Sequence, residues 1–156
     1  MTPHFVVHEH HASHLHYDFR LELEGVLRSW VIPKGPSMNP SEKRLALLVD
    51  DHPLEYIDFE GIIPKGHYGA GPVVIWDSGS YELVELKEGK ISFSLKGKNL
   101  KGAFTLTLLK GRGKGNEWLL IKKKDQYARH SWKLEKSLTP EKKAQLSELI
   151  PPCKTA

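Results

Sequence analysis

The strict alternation of apolar and polar side chains between residues 15 and 23 constrains the fold more than any other sequence feature. A period of two is the spacing at which the side chains of a β-strand share one face. One face of this strand is therefore predicted to lie in a hydrophobic core, and the other carries charged and imidazole groups. The apolar members are Leu15, Tyr17, Phe19, Leu21 and Leu23.

Further short apolar segments separated by Gly, Pro and Asn indicate that most of the chain is β-structure. Gly25 ends the first strand, and residues 26–32 are predicted to return as the second half of a hairpin. Many short strands at this spacing predict a compact antiparallel barrel or a sandwich with short flanking helices. The remaining strands are predicted at residues 44–49 (buried, because the run is apolar), 73–76, 80–86, 91–95, 103–109 and 118–123, with a long structured loop at 61–72.

One helix is predicted near the end of the chain. Thr139 is a suitable cap, Pro140 fits the first helical position, and Glu141 places an acidic group in the first turn. The helix is expected to span about residues 140–149 and to stop before Pro151. We expect the 156 residues to form a single domain, with a core from about residue 5 to residue 136.

The composition excludes several classes of protein. The 27% of charged residues and the short apolar runs exclude a membrane-spanning helix, and the N-terminus lacks the features of a signal peptide. Cys153 is the single cysteine, which excludes an internal disulfide and a thiolate metal cage. These features predict a cytoplasmic protein, which we expect to be a monomer. The net charge of +4 favours a polyanionic partner; the basic residues Arg112, Lys114 and 122–124 could guide a nucleic acid or simply form a solvated surface.

The polar face of the first predicted strand carries His16, Asp18 and Arg20 in a row. An imidazole and a carboxylate together suit a transition metal, and a guanidinium beside them can bind a phosphate. His10 is the predicted third ligand, since a short turn after a strand over residues 5–9 would bring it near His16. The alternative is a solvated polar face without metal, and that reading is preferred for the neighbouring His8, His11 and His14.

A second polar group follows later in the chain. Lys34 lies in a rigid loop, Arg44 opens a strand, and Asp50, His52 and Tyr56 come shortly after. Lysine, arginine, histidine and tyrosine side chains can donate hydrogen bonds to phosphate oxygens, and a histidine can also transfer a proton to a leaving oxygen. Taken singly, each of these residues is an ordinary surface residue, so their assignment depends on a wider resemblance.

Five segments together resemble the 3′-phosphoesterase domain of bacterial DNA ligase D. The match extends in order from about residue 5 to residue 125, which is most of the chain. It is carried by residues 10–22 (HHASHLHYDFRLE), 29–36 (SWVIPKGP), 51–56 (DHPLEY), 59–71 (FEGIIPKGHYGAG) and 118–123 (WLLIKK).

The resemblance implies a β-barrel repair enzyme that processes the 3′ end of a strand. Such a domain removes a terminal ribonucleoside and then hydrolyses the remaining 3′-phosphate. Manganese is the usual metal, with zinc or another transition metal as the alternative. The implied metal ligands are His10, His16 and Asp18. The implied catalytic residues are His52, Arg20, Tyr56 and Asp50, and Arg20, Lys34, Arg44, His52 and Tyr56 are implied to bind phosphate.

The chain also departs from that family pattern. His8 stands where a glutamine is usual, and Asp50 where a glutamate is usual. Family members linked to a ligase carry an N-terminal arm with further acidic and basic functional residues, whereas this chain starts just before its first strand, so the resemblance supports the phosphomonoesterase step less than the removal of the ribonucleoside. Because the chain carries no ligase or polymerase module, it is expected to be a stand-alone version. A DNA ligase and Ku-like end-joining proteins are the implied partners. The rival functions are a non-catalytic nucleic-acid-binding barrel with a structural metal and a metal-dependent phosphatase of small molecules.

Overall fold

The protein is described by a computed structural model that covers residues 2–111 and 113–152. Within these residues it forms nine antiparallel strands, and eight of them close a barrel in the order β1-β2-β3-β4-β9-β8-β7-β6, with β6 pairing back to β1. The strands are β1 (His4–His11), β2 (Leu15–Leu23), β3 (Val26–Ile32), β4 (Arg44–His52), β5 (Gly61–Ile63), β6 (Gly71–Lys87), β7 (Lys90–Lys96), β8 (Lys101–Leu108) and β9 (Glu117–Lys122).

The barrel interior is filled by the apolar faces of its strands. Phe19 of β2 lies at the centre, where its ring contacts those of Phe5, Trp30 and Phe93. All four side chains are fully buried. The alternation of residues 15–23 therefore places its apolar face inward, as predicted, and leaves His16, Asp18 and Arg20 on the outer wall. The predicted barrel is confirmed.

A second, smaller apolar cluster lies on the outer wall of the barrel. It is built where a turn of 3₁₀ helix (Leu54–Asp58) contacts β3, beside strand β5, which pairs with β6. Because this layer covers part of the wall, polar groups beneath it are shielded from water. Its members are Leu27, Tyr56, Phe59, Ile63 and Val73.

Two strand predictions are corrected by the structure. The predicted loop at 61–72 contains the short strand β5, and the strands predicted at 73–76 and 80–86 are one strand, β6. Gly79 allows this continuity, because a Cβ atom there would overlap the Lys96 carbonyl group. The prediction of a buried strand at 44–49 is also wrong: β4 extends to His52, and only Ala46 is buried in it.

The C-terminal helix α1 (Pro140–Gln145) begins as predicted, since the Lys142 amide donates to Thr139 Oγ1 at 3.0 Å. It ends earlier than the predicted residue 149. Residues after Gln145 become extended and pair with β5, where Ile62 N donates to the Ser147 carbonyl at 2.9 Å. The edge of β5 thus competes successfully for backbone hydrogen bonds that a longer helix would have made. In the part of the chain that the structure describes, no helix is long and apolar enough to cross a membrane.

Candidate metal centre and anion pocket

The register of three strands brings the polar groups together on the outer wall. His10 lies opposite His16, and His8 lies opposite Asp18, across the β1–β2 pair. Arg20 is paired with Ser29 on β3. Residues directly opposite one another in an antiparallel pair point to the same side of the sheet. The site is therefore a consequence of strand register, and it needs no long loop to assemble it.

His10, His16 and Asp18 offer three ligand atoms that lie within 4.8 Å of one another. His10 Nδ1 is 3.4 Å from Asp18 Oδ2, and His16 Nε2 is 3.3 Å from Asp18 Oδ1. Two imidazole nitrogens and one carboxylate oxygen form a donor set that suits a divalent transition metal and leaves coordination positions for water and substrate. The predicted triad is thus brought together by the fold.

Backbone carbonyls orient both imidazole rings toward a shared centre. His10 Nε2 donates to the Gly69 carbonyl at 2.7 Å, and His16 Nδ1 donates to the His14 carbonyl at 3.2 Å. Each ring proton is therefore held on the nitrogen that faces away from Asp18, and the lone pair of the other nitrogen faces the carboxylate. Lone pairs directed at one another repel unless a cation lies between them. This arrangement fits a metal ion and resembles the outer hydrogen bonds that commonly orient metal-binding histidines.

The electrostatics of the triad favour an ionised carboxylate. Burial alone would raise the pKa of Asp18, but the Arg20 charge and the adjacent His10 and His16 rings hold it well below its usual range. Burial alone would lower the pKa of His16, yet its hydrogen bond to Asp18 and the Asp18 charge raise it. His16 can therefore take up a second proton on Nε2 and donate it to Asp18, and either that proton or a metal ion would separate the facing lone pairs.

Arg20 is a buried cation held by several partners at once. Its Nη2 lies 3.2 Å from Asp18 Oδ2, and its Nη1 donates to Ser29 Oγ at 2.9 Å. Its Nε donates to His8 Nδ1 at 3.1 Å, and the guanidinium lies 4.7 Å from the Tyr56 ring centroid. With only 3% of its surface exposed, the group is fixed in one orientation. A fixed guanidinium beside a metal site is suited to binding phosphate oxygens.

His8 belongs to this site, contrary to the prediction of a solvated polar residue. It is fully buried, and its Nε2 donates to the Phe59 carbonyl at 3.1 Å while its Nδ1 accepts from Arg20. Burial, with the nearby Arg20 charge, lowers the pKa of His8 to about 3. The hydrogen bond from Arg20 requires the neutral ring, because a protonated Nδ1 cannot accept. The alternation of the strand could have indicated this position. His8 is two residues before His10 in β1, so both side chains point to the same side, and the partner of His8 in β2 is Asp18.

A β-bulge places His52 on the site side of the barrel wall. Ser29 pairs with Val49, but Leu27 pairs with His52, so β4 carries an extra residue in this interval. Ala46 and Leu48 pack toward the core, and simple alternation would point residue 52 inward as well. The bulge reverses this direction, which is a common use of bulges near functional sites.

His52 lies between Arg20 and its own strand. Its Nδ1 is 3.2 Å from Arg20 Nη1 and 3.0 Å from the Asp50 carbonyl oxygen. Burial and then the Arg20 charge lower the pKa of His52 to about 4, so the ring is neutral near pH 7. The ring lies 5.0 Å from the Tyr56 centroid, and Tyr56 also contacts the His8 ring at 5.1 Å. Tyr56 therefore packs behind both histidines and Arg20.

These groups open into a cavity of about 610 Å³. His10, His16, Asp18, Arg20, Asp50, His52 and Tyr56, which were all predicted as site residues, line it. Lys34 and Arg44 do not: Lys34 is exposed in the turn after β3, and Arg44 lies 3.4 Å from Glu42. The cavity also has walls that the sequence did not indicate, among them Val31, Val49, Ile63, Tyr68 and Pro151.

The basic residues that were predicted to guide a nucleic acid have different surroundings. Lys122 is buried, and its ammonium group donates to Asp125 Oδ1 at 2.7 Å and to two carbonyl oxygens, so it is a structural residue. Lys114, Lys123 and Lys124 are exposed. Arg112 and Cys153 lie outside the described residues.

Glu9 is a second buried group that the sequence did not single out. Its carboxylate accepts hydrogen bonds from Ser137 N at 2.6 Å and Leu138 N at 2.9 Å, and it lies 2.7 Å from His11 Nε2. Glu9 is adjacent to the metal-site residue His10 in β1. It therefore ties the segment before the C-terminal helix to the strand that carries the site.

The sequence of the chain is similar to those of known proteins. The sequence model of the DNA ligase D 3′-phosphoesterase domain matches residues 8–108. The multifunctional non-homologous end joining protein LigD of Pseudomonas aeruginosa is 52% identical over 130 residues, covering 80% of this chain and 16% of that protein. The multifunctional non-homologous end joining DNA repair protein LigD of Mycobacterium tuberculosis is 46% identical over 126 residues, covering 78% of this chain and 16% of that protein.

The chain thus spans about one sixth of the length of these relatives. The matched residues 8–108 begin at His8 and include the candidate metal ligands and Arg20 with the side chains that contact it. The match covers more than half of the chain, and the identity is high over most of its length. The chain therefore belongs to the family of DNA ligase D 3′-phosphoesterase domains.

Proposed function

We propose that this protein is a metal-dependent phosphoesterase that removes a ribonucleoside from the 3′ end of a nucleic-acid strand. The observation that carries the proposal is the convergence of two imidazole lone pairs and the Asp18 carboxylate beside the buried Arg20 guanidinium. A metal centre next to an anion pocket can activate a water and stabilise the charge that develops when a phosphate ester is hydrolysed. Manganese is the proposed metal, with zinc or another transition metal as the alternative.

In this proposal Arg20 binds a non-bridging oxygen of the scissile phosphate and stabilises the charge that develops on it. The hydrogen bonds from Arg20 to His8 and Ser29 fix the guanidinium before substrate arrives. When bound to His10, His16 and Asp18, the metal would polarise the phosphate and supply a reactive water. Asp18 has a double role, since it ligates the metal and also contacts Arg20.

His52 is proposed to contact the phosphate as a neutral ring. When its Nδ1 accepts from Arg20, the ring proton is on Nε2, which is then a hydrogen-bond donor for a phosphate or leaving-group oxygen. Bound phosphate raises the tendency of the ring to take a second proton, because it adds negative charge nearby. Asp50 at the rim is proposed to act in the second, phosphomonoesterase step. Lys34 and Arg44 remain predicted phosphate ligands and would act on parts of the strand outside the cavity.

The biological setting is proposed from the relatives. Their names describe non-homologous end joining, so we infer that this chain prepares 3′ ends for joining by a DNA ligase, with Ku-like end-binding proteins as further proposed partners. A 3′-hydroxyl is the end that a ligase can use, and removal of a ribonucleoside followed by its phosphate would yield one.

One assay distinguishes this function from its rivals. The protein is incubated with Mn²⁺ and an end-labelled primer–template that carries one 3′-terminal ribonucleotide, and with Asp18→Asn and Asp51→Asn as matched variants. Asp51 is an exposed carboxylate outside the cavity. The wild type and Asp51→Asn are expected to shorten the primer by one nucleoside, and Asp18→Asn is expected to leave it intact.

Other results would point elsewhere. An unchanged primer, together with salt-sensitive binding, would favour the non-catalytic nucleic-acid-binding barrel. Equal hydrolysis of a small phosphate ester and of the primer end would favour the small-molecule phosphatase. Processing by Asp18→Asn at the wild-type rate would refute the assigned metal centre.

A further inference from the structure

Tyr68 has an unusual position at the mouth of the cavity. It is the most exposed large hydrophobic side chain among the described residues, with 77% of its surface accessible, and it also lines the cavity. It lies in the loop between β5 and β6, which we call the rim loop (residues 64–70). An aromatic ring that is left open to solvent beside a charged pocket is a frequent recognition element.

The rim loop is held by hydrogen bonds and is joined directly to the metal centre. The His67 amide donates to the Pro64 carbonyl and the Ala70 amide to the His67 carbonyl, each at 3.2 Å. The Gly69 carbonyl, next in sequence to Tyr68, accepts the 2.7 Å hydrogen bond from His10 Nε2. The backbone next to Tyr68 is thus joined to His10 by one hydrogen bond.

The cavity therefore offers two different kinds of contact. Arg20, Asp18 and the two histidines form its polar end, while Tyr68 and the side chains of Ile63 and Val49 provide apolar surface. A ligand that fills both must carry an anionic phosphate and a flat apolar group. A terminal nucleoside attached to a phosphate has this composition, and a cavity of about 610 Å³ lies in the usual size range of small-ligand sites and is too small for a duplex.

We propose that Tyr68 is a stacking platform for the nucleobase of the 3′-terminal nucleoside. Every base has a π-face, so stacking on one tyrosine accepts all four bases and suits an enzyme that must act on any end. The inference extends the proposed function and rests on it, since it names the part of the substrate that the rim loop recognises. Tyr68 positions the substrate and takes no part in the chemistry.

The test compares substrates as well as variants. The wild type, Tyr68→Ala, Tyr68→Phe and Tyr68→Leu are assayed for kcat/KM on two primer–templates, one with a normal terminal ribonucleotide and one whose terminal ribose lacks a base. Tyr127→Ala is the matched control, because Tyr127 is also exposed, at 42%, and lies outside the cavity.

The wild type is expected to prefer the base-carrying end by roughly 5- to 150-fold, the range that stacking on one aromatic ring supplies. Tyr68→Ala and Tyr68→Leu should lose this preference by slowing only on the base-carrying end. Tyr68→Phe and Tyr127→Ala should retain it, since both keep an aromatic ring at position 68.

Binding gives an independent readout. A primer with 2-aminopurine as its terminal base is titrated with protein in the presence of a chelator, so that no turnover occurs. Stacking on Tyr68 should quench its fluorescence with the wild type and Tyr68→Phe, and less with Tyr68→Ala or Tyr68→Leu.

The failure of this inference can be separated from the failure of the proposed function. If the wild type processes neither end, the proposed function fails. If it processes both ends at the same rate and Tyr68→Ala matches it, the stacking platform is refuted while the enzyme stands. Loss of activity in Tyr68→Phe as large as in Tyr68→Ala would refute stacking in favour of a role for the hydroxyl group. A preference that depends on the penultimate base would likewise overturn the assignment to the terminal nucleoside.

Discussion

Replacement of His8 by leucine is expected to damage the protein much more than replacement by glutamine. His8 is buried between two groups with opposite needs: Arg20 Nε requires an acceptor, and the Phe59 carbonyl requires a donor. A neutral imidazole supplies one of each. A glutamine amide also supplies one acceptor and one donor, whereas leucine supplies neither.

The magnitude follows from the two hydrogen bonds. The contact with charged Arg20 is worth about 1.5–3 kcal/mol and the neutral contact with Phe59 about 0.5–1.5 kcal/mol. His8→Leu should therefore lower the free energy of unfolding by roughly 2–4 kcal/mol, which corresponds to a decrease in Tm of roughly 4–16 °C for a domain of this size. It should also lower kcat, because Arg20 loses the partner that fixes its Nε. His8→Gln should retain most of both quantities.

The assay is thermal and urea denaturation of the metal-free protein beside steady-state kinetics of the Mn²⁺-loaded protein, for the wild type and the two variants. A His8→Leu variant that is as stable and as active as the wild type would show that Arg20 needs no support from β1. If His8→Gln is instead as damaged as His8→Leu, the pairing of one donor with one acceptor is not what the site requires.

Three further predictions concern the surroundings of the site. Gly69→Ala should weaken Mn²⁺ binding measured by calorimetry, because the added Cβ would lie 3.0 Å from His10 Cε1. Gly66→Ala is the control for backbone strain, because Gly66 also has a positive φ and its Cβ would have no atom within 4 Å. Glu9→Gln should destabilise the fold by about 1–3 kcal/mol, because one backbone amide loses its acceptor; hydrogen exchange at Ser137 and Leu138 should then accelerate, and unchanged exchange would contradict this role. The urea midpoint of the metal-free protein should fall as the pH drops below 6.5. Burial lowers the pKa of His8 to about 3 and of His52 to about 4, so between these values and pH 6.5 the unfolded chain binds more protons than the folded protein. His8→Gln should flatten this fall, and an equally steep fall in that variant would exclude His8 as a cause.

The fold was predictable where periodicity alone decides it. The alternation around Phe19 fixes which face of β2 is buried, and the spacing of the short strands indicates a barrel. The candidate metal triad was predictable for the same reason, since His16 and Asp18 share a face and a short turn brings the end of the preceding strand, with His10, opposite His16. The sequence does not show how much of that outer face is covered, which is why His8 was expected in solvent.

Features that depend on tertiary contacts were not predictable from the sequence. The extra residue in β4 that turns His52 outward is a property of the pairing between β3 and β4, and a single strand carries no signal for it. The early end of the helix at Gln145 depends on β5 offering a free edge. Lys34 lies in a family motif and Arg44 is implied by the resemblance, yet neither fact says whether a side chain reaches the cavity.

The charges of the buried groups explain how the site can be covered by an outer layer. Among the side chains buried at its centre, Arg20 and Asp18 carry opposite charges, and the lowered pKa values of His8 and His52 keep both rings neutral near pH 7. The pocket is thus close to electrically neutral before metal and substrate enter, which limits the cost of burying it beneath the 3₁₀ turn and β5. A divalent ion would then add a charge of about +2, which an anionic phosphate offsets, so metal and substrate would each favour binding of the other. Protonation of the fully buried His8 would upset this balance and would remove the acceptor for Arg20 Nε, so the layer that keeps His8 neutral also helps to hold the guanidinium in place.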